Sequence, residues 1–228
     1  MSKCITVLVP AYNEGDRIKD TIDAIKASNY VDRIVIIDDG SKDNTYTIAK
    51  STNVEVYRLE ENHGKGFALN FGIEKVYKES SIIVFLDGDL KETASEVDKL
   101  VVPILEGQAD VTIAKFPAAK KKGGFGLVKN LARYGVKFYT GHTIYTSLSG
   151  QRAFKTEVLR RFEKMPTDYG VEVGMTIDIL NMGYRIKEVD VNMTHRETGR
   201  DFKSFVHRGK QFYQILLTLL RKHKEVMR

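Results

Sequence analysis

Short continuous apolar runs alternate along this chain with segments whose apolar residues recur every three or four positions, the rhythm of buried strands separated by amphipathic helices. Cys4 to Val9 reads as a strand, and Pro10-Ala11-Tyr12-Asn13-Glu14-Gly15 as the turn that ends it. Ile18, Ile22 and Ile25 then mark one face of a helix. Arg33 to Ile37 is a second strand running into the turn formers Asp38 to Thr45, with a short helix through Ile48 and Ala49. Val54 to Leu59 is a third strand, and Leu69, Gly72, Ile73 and Val76 line the next helix. The run Ile82 to Leu86 is a fourth strand, stopping at Asp87-Gly88-Asp89. Val97, Leu100, Val101 and Ile104 predict a helix that Pro103 should kink or shorten, before a strand from Asp110 to Phe116.

This β-α-β-α order predicts an α/β fold, a mostly parallel sheet flanked by crossover helices. Lys120 to Gly126 reads as a loop, either a plain surface loop or an ordering lid, and Val128 to Tyr139 as a helix. Thr146 to Phe154 is expected as a strand bearing Ser149-Gly150-Gln151, and Val158 to Phe162 as the start of a helix. Tyr169 to Glu172 opens a further helix that Gly183 should stop. Arg185 to Met193 alternates like a strand, and from Phe202 a stripe including Phe205, Phe212, Leu216 and Leu220 predicts a C-terminal amphipathic helix. Without a repeat or a recognisable linker, residues 1–228 are expected to form one domain, with 1–116 as a nucleotide-binding half and 117–228 built onto it.

Composition narrows this only in part. Apolar residues make up 42% of 228 and charged residues 29%, an ordinary globular balance. A formal charge of +6 allows nucleic acid, anionic membrane or phosphorylated small molecules, so its distribution matters more than its sum. The one cysteine, Cys4, sits in the first predicted strand, so no intrachain disulfide framework exists and a reducing cytoplasm is the expected compartment. No signal-like segment is visible, and no apolar stretch approaches the ~20 residues of a membrane span.

The chemistry gathers at strand ends. Three predicted strands finish in short polar, glycine-bearing loops at Pro10, Asp38 and Asp87, the edge where open α/β sheets bind ligands. The D-x-D carboxylates Asp87 and Asp89 suit Mg²⁺ or Mn²⁺ while leaving coordination sites for phosphate oxygens. Gly64-Lys65-Gly66 adds a turn before a helix, whose exposed amides favour phosphate. Neither G-x-x-x-x-G-K-S/T nor a G-x-G-x-x-G after the first strand is present, which argues against P-loop enzymes and dinucleotide oxidoreductases.

Taken together, Val9 to Glu14, Asp38-Asp39-Gly40-Ser41 with Asn44-Thr45, Asn62 to Gly66 and Asp87-Gly88-Asp89 resemble the family-2-like glycosyltransferases of GT-A fold, which use nucleotide-diphosphate sugars. The resemblance implies that Pro10, Ala11, Tyr12 and Glu14 line the nucleoside pocket, that Asp39 takes the base edge and that Lys65 meets base or phosphate. It also implies that Asp87, Gly88 and Asp89 serve ribose and metal. In the second half, Leu148 to Gln151, Gly170-Val171-Glu172-Val173-Gly174 and His195-Arg196 resemble the glucosyl- and mannosyl-3-phosphoglycerate synthases. By that likeness His195 completes a metal site with Asp87 and Asp89, Gly150 faces the donor sugar, and Glu172 lies beside sugar and acceptor as a catalytic residue with Asp89. Arg196 and Arg200 are suited to an anionic acceptor, since guanidinium matches phosphate or carboxylate bidentately. The chain departs from those synthases in being shorter, in carrying Gln151 where many have an acid, and in having Lys91 just past the D-x-D.

The expected function is therefore a Mg²⁺- or Mn²⁺-dependent transfer of a hexose from a nucleotide diphosphate, with uridine favoured over guanosine. The expected acceptor is a hydroxyl of a small anionic or lipid-phosphate molecule, and nucleic acid is not an expected partner. A nucleotidyltransferase and a non-catalytic nucleotide-sugar-binding protein are the alternatives. The C-terminal stripe reads as core or homodimer interface, and its basic residues leave peripheral attachment at the inner face of a membrane open.

Overall fold

The computed structural model describes residues 4–117, 126–162, 170–194 and 202–226. Its centre is a seven-stranded sheet in the order β3-β2-β1-β4-β6-β5-β7. Strands β1 (Ile5–Ala11), β2 (Arg33–Asp38), β3 (Glu55–Arg58) and β4 (Ile82–Phe85) are parallel neighbours, joined by helices α1 (Ile18–Lys26), α2 (Thr45–Ser51) and α3 (Lys65–Val76). Alternation along β1 sends Val7 and Val9 to one face and Leu8 to the other, and both faces are covered, as a parallel sheet requires. On the first face Ile18, Ile22 and Ile25 of α1 pack beside Leu100 and Ile104 of α4 (Val97–Leu105). The helix runs two residues past Pro103 before it stops.

The second half departs from simple crossover order. Strand β5 (Val111–Lys115) does not pair with β4; β6 (Arg152–Lys155) lies between them, antiparallel to both, and β7 (Ile186–Asp190) closes the edge parallel to β5. The expected strand from Thr146 is thus four residues long, and Ser149-Gly150-Gln151 leads into it instead of lying on it. The helix expected from Val158 is a single turn starting earlier, α6 (Thr156–Leu159). Helices α5 (Leu127–Thr140), α7 (Val171–Asn181) and α8 (Phe202–Val226) cover the other face with α3, and the Tyr139 hydroxyl donates to the Leu219 carbonyl at 2.8 Å to join α5 to α8.

Two further expectations are corrected at the N-terminus. Cys4 precedes β1 instead of opening it, and is half-buried. Pro10 and Ala11 belong to β1, pairing with Ile37 and Asp38. The backbone amide position of Pro10 faces β4, whose ladder with β1 has already ended at Leu86 N to Leu8 O, so the missing N–H forfeits no strand bond.

Candidate active site

The loops after β1 and β2 are knitted together by side chains that imitate backbone turns. Ser41 Oγ accepts from Asn13 N, Thr45 Oγ1 from Glu14 N, and Asp43 Oδ2 from Gly15 N, at 2.8 to 3.0 Å. The Asp43 carboxyl is held below its ordinary range: burial opposes ionisation, and donors from Thr45 and Gly15 outweigh it. This frame leaves Tyr12 exposed and pairs Glu14 with Arg17 at 2.6 Å.

Asp39 has a structural task that the sequence does not announce. Its carboxylate is 1% exposed and accepts from Asn62 Nδ2, His63 N and Gly64 N at 2.7 to 3.0 Å, pinning the loop before α3. Gly40 permits the approach: its φ is +69°, and a Cβ there would lie 2.5 Å from the Glu61 carbonyl carbon. Asp38 is fully buried beside Arg58, whose Nε is 3.2 Å from Oδ2.

Pinned in this way, α3 delivers Lys65 to the end of β4. Its ammonium pairs with Asp87 Oδ1, and Gln151 Nε2 donates to Asp87 Oδ2. Burial disfavours the Lys65 charge, but Asp87, with Glu172 and Asp89 beyond it, raises its pKa above the ordinary lysine value. The β4–β6 register explains how distant residues arrive here. Phe85 stands opposite Arg152, so Gln151 and Gly150 overrun the end of β4 and meet Asp87. A Cβ on Gly150 would sit 2.6 Å from Lys65 Nζ, so the glycine makes room for the lysine head. Gly88 in turn packs against the first loop, its Cβ position 3.4 to 3.5 Å from Ala11 and Glu14 side-chain carbons.

Arg152 was not among the candidate residues, yet it ties the second half of the site together. At 2% exposure its guanidinium donates to the carbonyls of Ser147, Ser149 and Glu172 and to Thr176 Oγ1, at 2.6 to 3.2 Å. It thereby fastens the Gly150 segment to the first turn of α7, which carries Glu172. Burial pushes its pKa down to about 10, with the Glu172 charge opposing. The signal in the sequence is a cation entering an apolar strand, Gln151-Arg152-Ala153-Phe154.

Lys65, Asp87, Asp89, Gly150 and Glu172 are therefore brought together, with Ala11, Glu14 and Gly88 on the adjoining loop. His195, Arg196 and Arg200 lie outside the described residues, as do Tyr169 and residues 120–125 of the lysine-rich loop. Among the described residues no group of three or more His, Cys, Asp or Glu side chains is placed to hold a metal ion. The two D-x-D carboxylates remain a hard-oxygen pair that fits Mg²⁺ or Mn²⁺, although both Asp87 oxygens already accept protein donors.

A mostly parallel sheet with polar loops converging beyond the ends of β1, β2 and β4 is that of an α/β transferase of GT-A fold. The sequence profile of glycosyl transferase family 2 matches residues 6–165, and the chain belongs to that family. It is 34% identical over 202 residues to an uncharacterised protein of Methanocaldococcus jannaschii, covering 85% of this chain and 82% of that one. It is 30% identical over 181 residues to the UDP-N-acetylglucosamine–dolichyl-phosphate N-acetylglucosaminyltransferase of Methanococcus voltae, covering 69% and 72%. Among solved structures, the glucosyl-3-phosphoglycerate synthase of Mycobacterium tuberculosis with Mn²⁺, UDP and phosphoglyceric acid superposes with a TM-score of 0.80. That match has 27% identity and covers 96% of this chain and 78% of the other.

Proposed function

We propose that this glycosyltransferase moves a hexose from UDP-hexose to a phosphate-bearing acceptor with the help of Mg²⁺ or Mn²⁺. The observation that carries the reading is the convergence on Lys65: one ammonium touches Asp87, abuts Gly150 and interacts electrostatically with Glu172 and Asp89. Four segments far apart in sequence thus meet around a single phosphate-sized charge. The uridine and metal assignments draw support from the Mn²⁺ and UDP held by the mycobacterial synthase, and the acceptor class from dolichyl phosphate and phosphoglyceric acid in the two relatives.

In this reading Tyr12 offers an amphipathic surface to the base, and Pro10, Ala11, Glu14 and Asp39 shape the nucleoside pocket. Asp87, Asp89 and His195 would hold the divalent ion, whose chemistry there is to neutralise the leaving diphosphate. Lys65 adds a fixed positive charge to the same phosphates. An acceptor oxygen forms the new bond to the anomeric carbon while the bond from that carbon to the diphosphate oxygen breaks, the electron pair leaving with UDP. A hydroxyl acceptor must lose its proton, and Glu172 is assigned to receive it. A phosphate oxygen is already anionic and needs no base. Arg196 and Arg200 are assigned to the acceptor's negative charge.

A thermal-shift series with nucleoside diphosphates tests the donor assignment, because a ligand that binds only the folded chain raises its stability by mass action. UDP with Mn²⁺ should raise Tm most, GDP less, and UDP without metal least. Equal shifts for all nucleotides, unaffected by metal, would overturn both the uridine and the metal assignments.

A further inference from the structure

Positive charge is concentrated in two stretches of this chain, the tail from Arg196 onward, with nine Lys and Arg against three Asp and Glu, and the stretch that precedes Glu157. Between Asp110 and Glu157 there are nine Lys and Arg residues and no Asp or Glu, and the remainder of the chain is net acidic. Helix α5 is the centre of that stretch. Its inner face, Ala132, Gly135 and Val136, is buried, whereas Leu127, Tyr134 and Phe138 are 61%, 62% and 74% exposed. At ~100° per residue these three fall within about 40° of one another on the helix circumference, forming an outward apolar line. Lys137 flanks the line and is exposed, as is Lys129 farther round the helix. Arg133 lies with its guanidinium 5.0 Å from the Tyr134 ring and 5.7 Å from that of Tyr145, itself 61% exposed, so the aromatic line widens into a small platform. Beside the platform Glu188 accepts from Tyr145 N, Thr146 N and Thr146 Oγ1.

We propose that this outer face of α5, with Tyr145, docks the protein onto an anionic phospholipid surface. Exposed Leu and Phe beside Tyr, edged by Lys and Arg, is the pattern of a surface that sinks its apolar line between headgroups while its cations meet the phosphates. Pairing with a second copy is disfavoured, because a two-fold contact would bring two cation-bearing faces together. Nucleic acid would use the cations but leave Leu127 and Phe138 without a role. The inference deepens the functional reading by placing the phosphate-bearing acceptor in a membrane, yet docking itself needs neither donor nor turnover.

The test is co-sedimentation of the full chain with phosphatidylcholine vesicles with and without phosphatidylglycerol. Binding should require the anionic lipid and fall with salt. Arg133→Glu with Lys137→Glu should weaken it on the order of tenfold or more, since each cation near an anionic surface is worth about fivefold. Tyr134→Ser with Phe138→Ser should weaken it at low and high salt alike. Both variants should keep the UDP-dependent thermal shift, which reports that they fold and that the donor site is intact. Vesicle binding without any UDP shift would sink the functional reading and leave docking standing. A UDP shift without vesicle binding, binding unaltered in either variant, or equally tight binding to RNA would overturn docking.

Discussion

Buried beneath the candidate site, the Arg152 guanidinium directs its hydrogen bonds at three carbonyls and a hydroxyl, so its charge is spent on holding backbone. Arg152→Met would leave the carbonyls of Ser147, Ser149 and Glu172 without that donor. At roughly 1 kcal/mol for each of these bonds and that to Thr176, the variant should be destabilised by about 4 kcal/mol. Because Arg152 positions Gly150 and Glu172 without belonging to the first loops, kcat should fall on the order of a hundredfold while UDP affinity holds. Arg152→Lys keeps the charge but not the planar fork and should behave like Met in kcat. Parallel loss of UDP affinity and kcat would instead mark Arg152 as a general structural residue. At this scale the sequence discloses residue types but not assignments. The resemblance assigns Asp39 to the base edge, but that its carboxylate also pins His63 and Gly64 is not legible, because hydrogen-bond partners are set by loop packing that no spacing reveals.

Elements are joined in the second half by Asp110, at the start of β5. Its carboxylate accepts from Lys155 Nζ of β6 at 2.7 Å and from Arg185 N, just before β7, at 2.9 Å. Burial works against its ionisation, but these donors prevail and lower its pKa to about 2. A folded pKa below the unfolded value stabilises the fold at any pH above about 4, and the contribution disappears as pH falls through about 2. Its size is about 2 kcal/mol. Asp110→Asn should therefore lower stability by about that amount at pH 7, with the gap to the parent closing between pH 4 and 2 in urea melts. A gap that stays constant with pH would show that the pair contributes through packing alone. Element types follow well from apolar periodicity, as in α1, where Ile18, Ile22 and Ile25 are all fully buried. The insertion of β6 between β4 and β5 does not follow, since a four-residue antiparallel strand is shorter than the period needed to identify it and its pairing is entirely long-range. That insertion carries Gln151 to Asp87, so half of the candidate site depends on a register the sequence conceals.

Across the whole molecule, the sheet places β2, β1 and β4 side by side, and their loops meet as the strand-end motifs imply. That convergence is legible because parallel strands joined by crossover helices must end on one edge. Among the described residues no helix is long and apolar enough to cross a membrane. Metal-dependent transfer from UDP-hexose can be followed as UDP release with Mn²⁺ present and polyprenyl phosphate in vesicles or 3-phosphoglycerate as acceptor. One glycosylated acceptor should form for each UDP released, and both should be lost in Asp89→Ala. Turnover undiminished in Asp89→Ala, or pyrophosphate released from a nucleoside triphosphate in place of UDP from its sugar, would contradict it.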